Sequence, residues 1–214
     1  MKKNNLVYVI IDAGALLKAK RNLRRTTRQV LQGSPDLLQL RLKGLSTKAA
    51  LRYSCTIAKM IAKKKHTKLI INDRVDIAKA SGAQGVHLGA EDLPVRFARS
   101  ILGTKAIIGK TVHSSLEAKQ ALAEPVDYIS IGPVFKTALK PSLKPLGVKG
   151  VKKVIAKSGA KKRKIAVFVI GGITFTNLPL LTRAGLNNIA VARNATLTRS
   201  PCQTVRGFRK ALSN

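Results

Sequence analysis

The chain is short of acid. It has 9 Asp and Glu residues against 41 Lys and Arg, a formal net charge of +32 over 214 residues. With so few carboxylates, surface ion pairing is not expected to be a main source of stability. A cationic substrate or partner is disfavoured. An anionic one is favoured: phosphates, nucleic acid or an acidic membrane surface. Other shortages narrow the choice. Aromatic residues make 4% of the chain and tryptophan is absent, so the glycine–aromatic stacking signature of RNA-binding modules is missing. The cysteines, Cys55 and Cys202, supply neither a disulfide framework nor a metal spacing and are expected as free thiols. No apolar run approaches the roughly 18 residues of a membrane span. The apolar start, Leu6 to Leu17, is interrupted by Asp12 and followed by Lys18, Lys20 and Arg21, which fits a first strand better than a signal peptide. A cytoplasmic protein with no membrane partner is the expectation. No Ser/His/Asp order, Cys/His pair or histidine metal set emerges.

What is present is a regular alternation. Strand-like runs fall at Leu6–Ile11, Leu37–Leu42, Lys68–Ile71, Gly85–Leu88, Ala106–Thr111, Tyr128–Ile131, Ile165–Ile170 and Asn188–Ala192. Helix-compatible segments separate them, around Leu23–Leu31, Lys48–Lys63, Val75–Ser81, Pro94–Leu102, Leu116–Leu122, Val148–Lys157, Leu178–Arg183 and Thr204–Leu212. Alternating β and α implies parallel strands, because each crossover returns the chain to the same end. Eight such units in 214 residues predict a single α/β domain over residues 1–214, a closed (β/α)8 TIM barrel at its compact limit. A doubly wound sheet, which uses fewer strands, is the alternative. The basic runs Lys63-Lys64-Lys65 and Lys161-Lys162-Arg163-Lys164 fall at a helix end and in a helix-to-strand loop, where solvated cations suit the helix dipole. The stretch Gly132 to Gly147 carries Pro133, Pro141 and Pro145. It is longer than the usual 2–6 residues of a βα loop, and a lid over the barrel mouth is expected there.

The polar residues of interest stand at strand ends. In the second strand Gln39, Arg41 and Lys43 share one face and the leucines the other. In a barrel the polar face points inward near the top, and its cations require an anion. Strand three ends Asn72-Asp73-Arg74, and strand four ends Gly89-Ala90-Glu91-Asp92 before Leu93-Pro94. Helix capping by Asn72, Asp73 or Asp92 is the plain explanation. Yet Asp73, Glu91 and Asp92 gather at adjacent strand ends in a chain with 9 acids. Carboxylates holding Mg²⁺ against a phosphate gripped by Arg41 and Lys43 is the second explanation. Gly171-Gly172, after strand seven, lies where barrels often bind phosphate on backbone N–H groups. His87 and His113 read as structural, with His87 facing into the barrel.

In this order, five motifs resemble the thiamine phosphate synthase family. They are Gln39-Leu-Arg41-Leu-Lys43-Gly44, Asn72-Asp73-Arg74, Gly85-Val-His-Leu-Gly-Ala-Glu91-Asp92, Gly132-Pro-Val-Phe-Lys-Thr137-Ala-Leu-Lys140 and Ile170-Gly171-Gly172-Ile173-Thr174. The resemblance implies a barrel, often dimeric, that joins hydroxymethylpyrimidine diphosphate to thiazole phosphate, giving thiamine phosphate and pyrophosphate. It implies that Gln39, Arg41, Lys43 and Asn72 bind the pyrimidine diphosphate and that Asp73 and Asp92 hold Mg²⁺ on its pyrophosphate. Thr111 stands where the family usually has Ser and keeps the hydroxyl. Thr137 and Lys140 would come from the loop after strand six. Gly172 and the backbone at Ala192-Arg193 would bind the thiazole phosphate. Arg41, Lys43 and Lys140 are then the candidate catalytic residues, stabilising charge on the leaving pyrophosphate.

The sequence departs from the family pattern in three ways. Thr-x-Thr-Lys reads Thr137-Ala138-Leu139-Lys140, the usual Ile-Ser after strand eight reads Ala192-Arg193, and the net charge of +32 exceeds anything the pattern requires. Two other readings compete. A thiazole tautomerase-like barrel usually loses the metal-side acids and carries His in place of Pro133, and Asp73, Asp92 and Pro133 argue against it. A catalytically decayed basic barrel would bind nucleic acid or other polyanions, and nonspecific nucleic-acid binding at low salt is expected in any case.

Overall fold

The structure is a computed structural model that describes residues 5–62, 66–138, 142–160 and 163–213. Its strands are β1 (Val7–Asp12), β2 (Leu37–Arg41), β3 (Lys68–Asn72), β4 (Gly85–Leu88), β5 (Ile107–Val112), β6 (Tyr128–Ile131), β7 (Ala166–Ile170) and β8 (Ile189–Val191). All pair in parallel with their sequence neighbours, and β8 pairs back onto β1. The sheet is therefore the closed (β/α)8 barrel and not the open doubly wound alternative. The expected lysine runs fall largely outside the described residues, which omit Lys63, Lys64, Lys65, Lys161 and Lys162.

The helices are α1 (Ala13–Lys18), α2 (Leu23–Gln32), α3 (Thr47–Ala62), α4 (Val75–Ser81), α5 (Val95–Leu102), α6 (Ser115–Ala123), α7 (Gly147–Ser158), α8 (Leu178–Thr182), α9 (Arg193–Thr196) and α10 (Pro201–Ser213). The sequence pattern did not foretell α1 and α9, which follow directly on β1 and β8 and are too short for an apolar period to show. Local chemistry sets several starts. Asn22 accepts from Arg25 N to cap α2. Ser114 caps α6 and Glu117 reaches back past it: Ser114 Oγ accepts from Glu117 N at 3.1 Å, and Glu117 Oε2 accepts from His113 N at 3.0 Å.

Strand alternation sorts the core into two layers. Val7, Val9 and Ile11, with Leu38 and Leu40, point outward and pack under the helices. Tyr8, Ile10, Leu37, Ile70, Tyr128, Ala166, Phe168 and Ala190 fill the barrel itself. On β2 the outward leucines leave Gln39 and Arg41 facing in, as the sequence alternation predicts. The inner layer is packed with side chains, so a ligand can be met only at the ends of the strands.

Candidate active site

The C-terminal ends of β1 to β4 carry a charged cluster. Asp12 ends β1 in register with Arg41 on β2. Its Oδ2 accepts from Arg41 Nη1 at 2.6 Å, while its Oδ1 accepts from Ala15 N at 2.8 Å and caps α1. One buried carboxylate thus starts a helix and anchors an arginine whose side chain is about one-third exposed (34%). Two residues beyond Arg41, Lys43 is exposed and reaches Asp73 Oδ2 at 2.9 Å.

Asp73 is the first residue after β3. Its backbone is left-handed, with φ 64°, a conformation that Asp tolerates better than most residues. Its N–H donates to His87 O at 2.9 Å, which carries the β3–β4 ladder one step further and fixes the turn. Asp92 Oδ2 accepts from Gly89 N at 2.6 Å and closes the loop after β4. The carboxyls of Asp73 and Asp92 are hydrogen-bonded to each other. Burial and the neighbouring Asp73 carboxylate push the Asp92 carboxyl above its ordinary value. Burial alone would raise Asp73 too, but the hydrogen bond from Asp92 and the Lys43 ammonium hold it below. Glu91 is exposed.

This geometry corrects the capping explanation. The N-cap of α4 is Arg74 and that of α5 is Pro94, and neither makes a side-chain capping bond. Asp73 and Asp92 are spent on each other and on Lys43. Arg41 bonds Asp12 and still lies near enough to Asp73 for its charge to help hold that carboxyl down. A cavity of 260 Å³ borders the cluster behind Lys43, Asn72 and Asp73, with Leu40, Leu42 and Ile71 on its apolar side. Asn72 is half-buried at the end of β3.

On the far side of the mouth, Thr111 is half-buried on β5 and bonds to His87 Nε2 at 2.7 Å. His113 is structural, its Nδ1 bonded to Gly132 O. The long loop after β6 is pinned at both ends. Val134 N donates to Ile170 O at 2.8 Å and Phe135 N to Gly171 O at 3.0 Å, while Leu146 N returns to Pro133 O at 2.8 Å. Thr137 is half-buried on this loop; Leu139 and Lys140 lie outside the described residues. Gly171 and Gly172 have φ of 106° and 64°. A Cβ on Gly171 would stand 2.6 Å from Pro133 Cβ, and one on Gly172 would overlap Lys136 O. Close packing of two loops therefore already requires glycine there. Asn177 Nδ2 donates to Gly172 O at 2.9 Å within the loop after β7, and Asn194 Nδ2 donates to Ile173 O at 2.7 Å, tying that loop to the segment after β8. Ala192 is half-buried and Arg193 is exposed at the start of α9.

Known proteins resemble this chain in sequence and fold. A family model described as thiamine monophosphate synthase matches residues 7–195. The chain belongs to the thiamine monophosphate synthase family. It is 34% identical over 212 residues to the thiamine-phosphate synthase of Prochlorococcus marinus (strain AS9601), covering 99% of this chain and 57% of that relative. It is 34% identical over 186 residues to the thiamine-phosphate synthase of Chloroflexus aurantiacus, covering 86% of this chain and 82% of the relative. The thiamine phosphate pyrophosphorylase of Pyrococcus furiosus superposes with a TM-score of 0.84 at 29% identity, covering 98% of this chain and 96% of that one. The chain spans about half the length of several of the curated relatives it matches.

Sequence reasoning missed Asp12, Tyr8 and Tyr128. Asp12 had a visible signal: a lone acid on the inward face of an otherwise apolar strand. The tyrosines had none, since aromatic residues on an inward face read as core.

Proposed function

We propose that this barrel condenses hydroxymethylpyrimidine diphosphate with thiazole phosphate, releasing pyrophosphate and forming thiamine phosphate. The observation that carries the reading is the cation–carboxylate cluster at the ends of β1 to β4. Arg41 is pre-oriented by Asp12, and Lys43 stands on Asp73 beside Asp92. A diphosphate needs donors that are fixed before it arrives, and Arg41 offers a planar fork suited to phosphate oxygens. Gln39 and Thr111 lie deeper and would meet the pyrimidine ring. Asn72 would complete the pyrimidine diphosphate contacts at the end of β3. Thr137 and Lys140, from the loop after β6, would close over the diphosphate. Gly172, Ala192 and Arg193 would hold the thiazole phosphate.

A divalent cation fits this donor set. Among the described residues no group of three or more His, Cys, Asp or Glu gathers at ligand spacing. Mg²⁺ does not need one, because it binds through one or two carboxylates plus substrate phosphates. Asp73 and Asp92 are such a pair: Lys43 meets only Asp73, and burial together with the Asp73 carboxylate still pushes the Asp92 carboxyl up. When bound, Mg²⁺ would supply positive charge beside the leaving pyrophosphate. Arg41 and Lys43 would bind and neutralise the same group, and the barrel mouth would hold the thiazole nitrogen against the pyrimidine carbon it attacks. Cys55 and Cys202 are free thiols, which suits a reducing, cytoplasmic setting.

The test is direct. The protein is mixed with Mg²⁺, the pyrimidine diphosphate and thiazole phosphate, and thiamine phosphate is followed by chromatography. Formation that depends on both substrates supports the reading. Absence of product from folded protein rejects it.

A further inference from the structure

Five side chains form a hydrogen-bonded relay through the barrel interior, beneath the charged cluster. Gln39 Nε2 donates to the Tyr8 hydroxyl at 2.6 Å. The Tyr8 and Tyr128 hydroxyls are 2.8 Å apart, and Tyr128 lies 2.9 Å from His87 Nδ1. His87 Nε2 lies 2.7 Å from Thr111 Oγ1. The relay thus joins β2 to β5 through β1, β6 and β4.

Packing fixes its members. Tyr8 and Tyr128 are fully buried. Phe168 meets their rings edge-on at 5.3 Å and 5.4 Å, and the His87 ring stacks on Tyr128 at 5.5 Å. Tyr128 lies across Gly109, where a Cβ would overlap its ring carbons. The hydroxyls have nowhere else to turn.

Each hydroxyl has one proton, so direction propagates. An amide nitrogen donates and does not accept. Tyr8 therefore accepts from Gln39 and passes its own proton toward Tyr128. Tyr128 in turn donates to His87 Nδ1. With the Gln39 amide nitrogen on Tyr8, any other assignment strands a buried hydroxyl proton without an acceptor. A ring nitrogen that accepts is unprotonated, so the imidazole carries its proton on Nε2 and gives it to Thr111 Oγ1. Gln39 is left with its Oε1 as acceptor, and Thr111 with its own O–H as donor.

We propose that this relay sets Gln39 and Thr111 as an acceptor–donor pair and so determines the ring the site selects. The ligand it fits is an amino-heterocycle: an exocyclic amino group to meet Gln39 Oε1 and a ring-nitrogen lone pair to meet the Thr111 hydroxyl. Tyr8, Tyr128 and His87 are positioning residues in this scheme. The proposal rests on the reading of Gln39 and Thr111 as pyrimidine contacts.

The first test needs no activity. Imidazole ¹⁵N spectra of the wild-type protein, with His87 assigned through His66→Gln and His113→Gln, are expected to show a neutral His87 protonated on Nε2. A ring protonated on Nδ1 reverses the relay and overturns the proposal. The second test is Tyr8→Phe, which cuts the relay beside Gln39 while keeping the ring. Both His87 tautomers should then appear. KM for the pyrimidine diphosphate should rise roughly three- to tenfold, the worth of one ordinary hydrogen bond, with kcat and the thiazole phosphate KM unchanged. Preference for the amino substrate over an analogue with oxo in place of amino should shrink by a similar factor. Folded Tyr8→Phe with one unchanged tautomer and unchanged preference also overturns it. If wild-type protein forms no thiamine phosphate, the catalytic reading fails while the tautomer result still decides the relay. If Tyr8→Phe does not fold, the wild-type spectrum decides alone.

Discussion

Asp12 Oδ2 stands 2.6 Å from Arg41 Nη1 across a register pair of β1 and β2, and the same carboxylate caps α1. The guanidinium is thereby held before any ligand arrives. Asp12→Asn keeps an oxygen for the cap and removes the charge that orients Arg41. We expect kcat/KM for the pyrimidine diphosphate to fall roughly 10- to 100-fold, the scale for a misplaced catalytic group. Unfolding free energy should drop by about 1–2 kcal/mol, the worth of a charge-assisted hydrogen bond. Steady-state kinetics and urea titration read the two effects, and wild-type kcat/KM in folded Asp12→Asn would remove Asp12 from the site.

Asp92 gives the opposite sign for stability. Its carboxyl is raised by burial and by Asp73. A carboxyl whose folded value lies above its unfolded value costs stability once the pH exceeds the unfolded value, near pH 4. Asp92→Asn should therefore leave Tm unchanged or raise it in metal-free buffer at neutral pH. The same change should weaken Mg²⁺ activation by about tenfold or more, because one of two carboxylate ligands is lost. Thermal melts and Mg²⁺ titrations of the rate test both halves. A lowered Tm with unchanged Mg²⁺ dependence contradicts the assignment.

The tyrosines predict an alkaline limit. The chain has 3 Tyr and no Trp, so phenolate absorbance near 295 nm is clean. Burial pushes the Tyr53 phenol up to about 12, and burial also raises Tyr8 and Tyr128. Unfolded phenols ionise near pH 10. Above that value the unfolded state has lost protons that the folded state keeps. The contribution to stability is full below about pH 10 and declines as the pH rises toward the folded values. Native protein at pH 10.5, where an unfolded sample is mostly phenolate, should show almost no phenolate until it unfolds. Prompt phenolate absorbance in folded protein would place at least one tyrosine in solvent.

Much of this was legible in the sequence, and the rest was hidden for definite reasons. The barrel could be read because its helix-facing layer is apolar at every second residue. Leu38 and Leu40 outward force Gln39 and Arg41 inward. The Asp12–Arg41 pairing was hidden because the two residues lie 29 apart and are brought alongside only by strand register. The Tyr8–Tyr128 contact spans 120 residues and exists only when the sheet closes. Capping misled because Asp before a helix usually does cap. Here the turn after β3 aims Asp73 at Lys43 instead. The two glycines after β7 serve loop packing whether or not they also admit a phosphate.

The charge remains the feature with the least local explanation. Asp12, Asp36, Asp73, Asp76, Glu124 and Asp127 each meet a basic side chain, so the scarce acids are largely committed. Most of the 41 Lys and Arg residues have no acid to meet and repel one another through solvent. The Debye length shortens from about 30 Å at 0.01 M salt to about 8 Å at 0.15 M. Tm should therefore rise between those concentrations. A flat or falling melt would mean that the charges are too dispersed to destabilise the fold.

Arg193 lets the charge be tested at the site itself. It stands exposed after β8, where the family resemblance leads Ser to be expected, at the start of a segment tied to Ile173 by Asn194. A guanidinium there adds a full charge near the proposed thiazole phosphate site. Exposure keeps the gain modest. Arg193→Ser should raise KM for thiazole phosphate roughly three- to tenfold, in line with a charge-assisted contact worth about 1 kcal/mol, and leave KM for the pyrimidine diphosphate alone. The difference should narrow as salt is added, since screening removes what the exposed charge supplies. An unchanged thiazole phosphate KM at low salt would show that Arg193 belongs to the general surface charge and not to the site.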